Sequence, residues 1–108
     1  MPESFERGAL TEAVFYILLS LREPMHGYAI MQHIEKMTAG RVALGPGTLY
    51  GALNALVQKR WIAAVTGERD SRKKEYAITQ AGQAALDAET QRLRELLRDI
   101  DFSGGTTP

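Results

Sequence analysis

A chain of 108 residues with 24% charged side chains and no cysteine has the size and composition of one globular domain, and two full domains do not fit. No disulfide, thiolate switch or cysteine-based zinc site is possible, and so small a core gains from a partner subunit. The net charge is zero, yet residues 41–78 hold seven cations against three carboxylates and each flank is acidic by two, so any anion-binding surface belongs to the middle of the chain.

Thr11 is suited to cap a first helix that runs to about Arg22 and is stopped by Pro24. Leu10, Val14, Ile17, Leu18 and Leu21 make one apolar face, and Phe15, Tyr16 and Leu19 make another. Such a helix is either central to the core or shares its second face with another subunit. Its longest apolar run, Ala13 to Leu19, is too short to cross a bilayer, and Glu3 and Glu6 stand where a secretory signal carries basic residues. A cytoplasmic protein is expected.

After a turn at Pro24-Met25-His26-Gly27, the spacing of Ile30, Ile34 and Met37 predicts a second helix to about Thr38, capped by His26 and ended by Gly40. Arg41 to Gly45 is a connector. Pro46 suits the opening of a third helix, where its missing N–H is not needed, and Thr48 to about Lys59 carries the narrow stripe Leu49, Leu53 and Leu56. Beyond Trp61, expected as a core or wing-base residue, the period shortens to two. Ile62 to Thr66 and Glu75 to Ile78 read as a two-stranded hairpin around the polar stretch Glu68 to Lys74. Thr79 then opens a helical pattern to about Ile100, about 30 Å long.

Leu86, Leu93, Leu97 and Ile100 form an apolar seam on that last helix, with Leu96 beside it. A domain this small cannot cover so long a seam, so a homodimer is expected, with Phe15, Leu19, Leu86, Leu93, Leu97 and Ile100 at its interface. The whole is mainly α with a small β-hairpin: a winged helix-turn-helix over residues 1–78, a C-terminal dimerisation helix over 79–102 and a flexible tail over 103–108.

With Leu49 at the centre of the third helix's apolar stripe, Gly47, Gly51, Asn54 and Gln58 fall on the opposite face. A glycine inside a helix costs about 1 kcal/mol relative to alanine, but it allows close approach of a partner. Asn54 and Gln58 carry amides that can pair with base edges, and Thr48 and Tyr50 carry hydroxyls suited to phosphate or sugar. Arg69, Arg72, Lys73 and Lys74 cluster at the hairpin tip, where they suit phosphate or minor-groove contact. Double-stranded DNA is the expected partner, and the competing reading is a winged-helix module that binds protein without DNA.

Three stretches carry a resemblance: Pro24-Met-His-Gly-Tyr-Ala-Ile, Gly45-Pro-Gly-Thr-Leu-Tyr-Gly-Ala-Leu-Asn-Ala-Leu, and Arg72-Lys-Lys-Glu-Tyr-Ala-Ile-Thr-Gln-Ala-Gly. Their order over about residues 10–97 resembles the PadR family of bacterial transcriptional regulators, in its short form with a single C-terminal helix. The resemblance implies a homodimeric repressor of a near-palindromic operator, with the Thr48–Tyr50 helix in the major groove and the Arg69–Lys74 wing beside it. It also implies a small hydrophobic or phenolic effector between the first and last helices, lined here by Phe15, Leu93, Leu96 and Leu97. The chain departs from the pattern in having Arg60 where the family usually has glycine before the first wing strand, and Asp70-Ser71 where a wing glycine is common.

His26 and His33, the two histidines, have no acidic or cysteine partner at ligand spacing, so no metal is expected. The Gly45-Pro-Gly-Thr stretch matches no phosphate-binding loop, and no nucleophile–base pair or carboxylate pair stands out. Neither a cofactor nor catalysis is expected.

Overall fold

The structure is a computed structural model that describes residues 9–65 and 73–105. Helix α1 (Glu12–Ser20) begins at Thr11, whose hydroxyl accepts the Val14 N–H at 3.1 Å. Helix α2 (Gly27–Met37) begins at His26, whose Nδ1 accepts the Ala29 N–H at 3.3 Å. Helix α3 spans Pro46–Gln58 and helix α4 spans Gln80–Ile100. Both α1 and α4 are N-capped by threonine as expected, Thr79 accepting the Gly82 N–H at 3.1 Å.

The sheet has three strands where a two-stranded hairpin was expected. Strands β2 (Ile62–Ala64) and β3 (Glu75–Ile78) pair antiparallel, with Ile62 opposite Ile78 and Ala64 opposite Tyr76. The additional strand β1 (Met25–His26) pairs with the other edge of β3, with Met25 opposite Tyr76 and His26 opposite Glu75, giving the order β1-β3-β2. Two residues are too few to show alternation, so β1 reads in sequence as a turn.

Ile17, Leu18, Leu21, Ile30, Ile34, Leu49, Leu53, Leu56, Ile62, Tyr76 and Leu86 form one buried core drawn from every helix and from β2 and β3. The Ile78 N–H donates to the Leu21 carbonyl at 2.8 Å and the Thr79 N–H to the Trp61 carbonyl at 2.9 Å, fixing β3 and the start of α4. Gly82 completes that junction, because a Cβ there would run into the Trp61 carbonyl.

Both inner helices end in left-handed caps without glycine at the first left-handed position. At the end of α2, Ala39 takes φ 53° and Gly40 follows at 81°, with the Gly40 N–H reaching the Glu35 carbonyl at 2.7 Å. Gly40 does end the segment as expected, but alanine precedes it in the cap. At the end of α3, Arg60 takes φ 66°, its N–H bonds the Val57 carbonyl, and the Trp61 N–H bonds the Leu56 carbonyl, both at 3.0 Å. This is the Schellman arrangement usually made by glycine.

Helix α4 leaves the core half-way along. Its first half carries the buried Gly82, Leu86 and Glu89, while Leu96, Leu97 and Ile100 lie exposed. A single π-helical turn, Asp101–Gly105, continues it through Ser103, which sequence reading placed in the flexible tail; residues 106–108 lie outside the described ones. No helix among the described residues is long and apolar enough to cross a membrane.

Candidate nucleic-acid interface

Helix α3 is built with two unlike faces. Gly45 and Pro46 start it without a side-chain cap, and Leu49, Leu53 and Leu56 bury its inner stripe. Gly47, Gly51, Asn54 and Gln58 are all exposed, as the helical wheel predicts, and so is Thr48. A Cβ added at Gly47 or Gly51 would meet nothing within 4 Å. Packing among the described residues therefore gives no reason for a glycine at 51.

Tyr50 stands apart from that face. It is half-buried, and its phenol lies so close to Gly27 that a Cβ there would collide with the ring. Tyr76 of β3 is beside it: burial, and next the nearby Tyr50, push the Tyr76 phenol above the usual tyrosine range. Expected from the wheel as a phosphate donor, Tyr50 is first of all a packing residue between α2, α3 and the sheet.

Of the four wing cations, Lys73 is exposed and Lys74 half-buried just before β3, whereas Arg69 and Arg72 lie outside the described residues. Because His26 pairs with Glu75, the wing base and the start of α2 are neighbours. The start of α2 thus touches α3 through Tyr50 and the base of the wing through Glu75. Arg41 extends the positive segment towards α1, donating from Nη2 to the Tyr16 hydroxyl at 3.2 Å.

The expected dimer seam divides in two. Leu86 is a core residue, 3% exposed, which removes it from any subunit interface. It sits one turn above the point where α4 leaves the domain, a boundary that heptad spacing alone does not reveal. Phe15, Leu19 and Leu93 are half-buried, and Leu97 and Ile100 are open.

The expected effector lining is also only partly assembled. Phe15 and Leu93 share a cleft of about 270 Å³ between α1 and α4 with Leu10, Glu12, Tyr16, Glu89 and Arg92. Leu96 and Leu97 do not line it, because they lie further out along α4. The polar wall is new: Arg92 reaches the Glu89 carboxylate from Nε at 2.8 Å and Nη2 at 2.7 Å. Those hydrogen bonds, with one from the Leu10 backbone, hold the buried Glu89 carboxyl below the usual carboxylate range. The i, i+3 spacing of Glu89 and Arg92 was the available signal.

A second cleft, of about 410 Å³, lies between α1 and α3, and Trp61 forms part of its wall with the Lys59 ammonium 4.8 Å from the ring centroid. Both histidines serve locally. His26 caps α2, and His33 Nδ1 lies 2.9 Å from Ser20 Oγ, which itself donates to the Tyr16 carbonyl.

Residues 15–88 match the model of the transcriptional regulator PadR-like family. The chain belongs to that family. An uncharacterized 37.1 kDa protein in transposon TN4556 of Streptomyces fradiae is 36% identical to this PadR-like chain over 86 residues, covering 79% of the chain and 24% of that protein. The transcriptional regulator YqjI of Escherichia coli K12 is 29% identical over 89 residues, covering 82% of the chain and 41% of that protein. The chain thus spans less than half the length of either relative. A transcriptional regulator from Clostridium thermocellum has the same fold, with a TM-score of 0.72 at 24% identity over 95% of this chain and 97% of that one. The PadR-like domain is mostly helical, with a small antiparallel sheet and a long C-terminal helix, as expected for a winged helix-turn-helix.

Proposed function

We propose that this PadR-like protein is a homodimeric, sequence-specific DNA-binding repressor of the cytoplasm. The observation that carries the reading is the outer face of α3, where Gly47, Thr48, Gly51, Asn54 and Gln58 are exposed and Gly51 answers to no contact among the described residues. A helix interior gives up about 1 kcal/mol at such a glycine, and close approach to a groove is what it gains. Asn54 and Gln58 then read base edges in the major groove, Thr48 and the wing residues Arg69, Arg72, Lys73 and Lys74 bind phosphate, and Tyr50 props the helix from behind.

Two copies joined through the outer half of α4 and the second face of α1 set their α3 helices about 34 Å apart, matching a near-palindromic operator. The exposed Leu96, Leu97 and Ile100 support that pairing. A small hydrophobic or phenolic effector in the cleft beside Phe15 and Leu93 would act on the same α1–α4 contact and release the DNA.

Fluorescence anisotropy tests the reading, with the DNA upstream of the protein's own gene against a shuffled duplex across salt, for wild type and a Lys73→Glu, Lys74→Glu variant. The expected result is preference for the native fragment, lost with the wing charges, and a fall in affinity of about 10³-fold or more between 50 and 200 mM salt for roughly 6 to 10 phosphate contacts. Equal, weak and salt-insensitive binding to both duplexes overturns it in favour of a protein-interaction module.

A further inference from the structure

The stretch Pro24 to Ile30 contains one large side chain that neither the core nor the interface above employs. Tyr28, the second residue of α2, is 60% exposed. Its hydroxyl has no hydrogen-bond partner among the described residues. The residues around it are by contrast tightly specified: His26 caps the helix, Gly27 receives the Tyr50 ring, and Ile30 is fully buried.

Its position follows from two adjacent contacts. One residue earlier, Gly27 packs on Tyr50 in the second turn of α3. Two residues earlier, His26 pairs with Glu75, the residue immediately after Lys73 and Lys74. The backbone that carries Tyr28 is therefore anchored on one side to the second turn of α3 and on the other to the base of the wing. When α3 occupies a major groove and the wing reaches the neighbouring backbone, the phosphate strand separating them runs past the first turn of α2.

A phenol suits that place. It is uncharged, its hydroxyl can donate to a phosphate oxygen, and its ring can cover the adjoining deoxyribose, so it combines an apolar body with a polar end. A contact of this kind fixes the register of the domain on the duplex and carries no base information. We propose that Tyr28 is a phosphate-binding residue that seats the first turn of α2 on the DNA backbone and so positions α3 in its groove. The assignment rests on the DNA-binding reading above and adds a residue of α2 to it.

Its signature differs from those of the lysines and the amides. Loss of a neutral donor weakens every duplex alike and leaves the salt dependence unchanged, because no counterion-displacing charge is removed. Anisotropy measured from 50 to 200 mM salt on two duplexes, one selected by the wild-type protein from a random pool and one scrambled from it, reads both properties. Tyr28→Phe is expected to bind each duplex about tenfold more weakly, as for the loss of one hydrogen bond to a charged group, with the wild-type salt slope. Its thermal midpoint should match wild type, since the hydroxyl supports nothing among the described residues. Asn54→Ala, run alongside, should instead lose affinity mainly for the selected duplex.

Unchanged binding by Tyr28→Phe, or a loss confined to the selected duplex, overturns the assignment while leaving the DNA-binding reading intact. Failure of the wild-type protein to bind either duplex overturns both.

Discussion

Gly27 and Tyr50 lock the first turn of α2 to the second turn of α3, because the phenol occupies the space that any Cβ at residue 27 would need. The angle between the two helices is thereby set by the absence of one atom. Gly27→Ala should force the ring aside and destabilise the fold by about 1 to 3 kcal/mol, the usual range for overpacking. Urea denaturation of the double-mutant cycle with Tyr50→Leu isolates the contact. The alanine should be markedly cheaper in the Tyr50→Leu background; equal penalties in both would show that the collision is not the cause.

Glu89 and Arg92 predict a pH dependence. The carboxyl of Glu89 is buried, and Arg92 together with the Leu10 N–H favours its ionised form. Its folded-state pKa lies below the unfolded one, so its contribution is complete above the unfolded value of about 4.3 and is lost as the pH falls through the lower folded value. Wild type should therefore lose more stability than Glu89→Gln between pH 6 and pH 3. The difference should be about 1 kcal/mol, kept small by solvent around the half-open Arg92. Parallel curves of unfolding free energy against pH would remove Glu89 as the source.

Arg60 occupies a left-handed backbone position, at φ 66°, that glycine fills without penalty. The cap bonds to Val57 and Leu56 involve only backbone, and the Arg60 carbonyl also accepts the Thr79 hydroxyl at 2.6 Å. Arg60→Gly keeps all of them and should stabilise the protein by about 0.5 to 1 kcal/mol, with glycine's extra freedom in the unfolded chain limiting the gain. A lower thermal midpoint for the variant would mean that the arginine side chain itself contributes more than its backbone costs.

Much of this molecule was legible in the sequence because its signals are local. Thr11, His26 and Thr79 announce three helix starts, and the spacing of Leu49, Leu53 and Leu56 divides α3 into the two faces observed. What escaped depends on long-range geometry. Strand β1 exists only because β3, some fifty residues later, offers an edge to Met25 and His26. Tyr50 looks like a surface hydroxyl on a wheel until Gly27 is brought beneath it, and the position at which α4 leaves the core decides that Leu86 is inside and Leu97 outside.

That division of α4 is itself testable. Leu97→Glu with Ile100→Glu places charges on an exposed surface, so helicity and folding should survive while, on the proposed reading, the dimer at micromolar concentration gives way to monomer in light scattering. Leu86→Ala should do the reverse, lowering stability by about 2 to 5 kcal/mol as for other buried leucines without acting at an interface. A charged pair that leaves the mass unchanged would place the dimer contact elsewhere.

Gly51 offers the sharpest separation of folding from binding. It lies in the interior of α3, its Cβ position is open, and nothing among the described residues requires the missing side chain. Gly51→Ala should therefore raise stability by about 0.5 to 1 kcal/mol through helix propensity alone. On the proposed reading the same methyl group stands between α3 and the floor of the groove, so DNA affinity should fall, and Gly51→Leu should fall further. Opposite signs for the two measurements, greater thermal stability with weaker binding, are what a surface kept bare for a partner produces. A variant that is both more stable and undiminished in DNA binding would show that α3 does not approach the groove along this face.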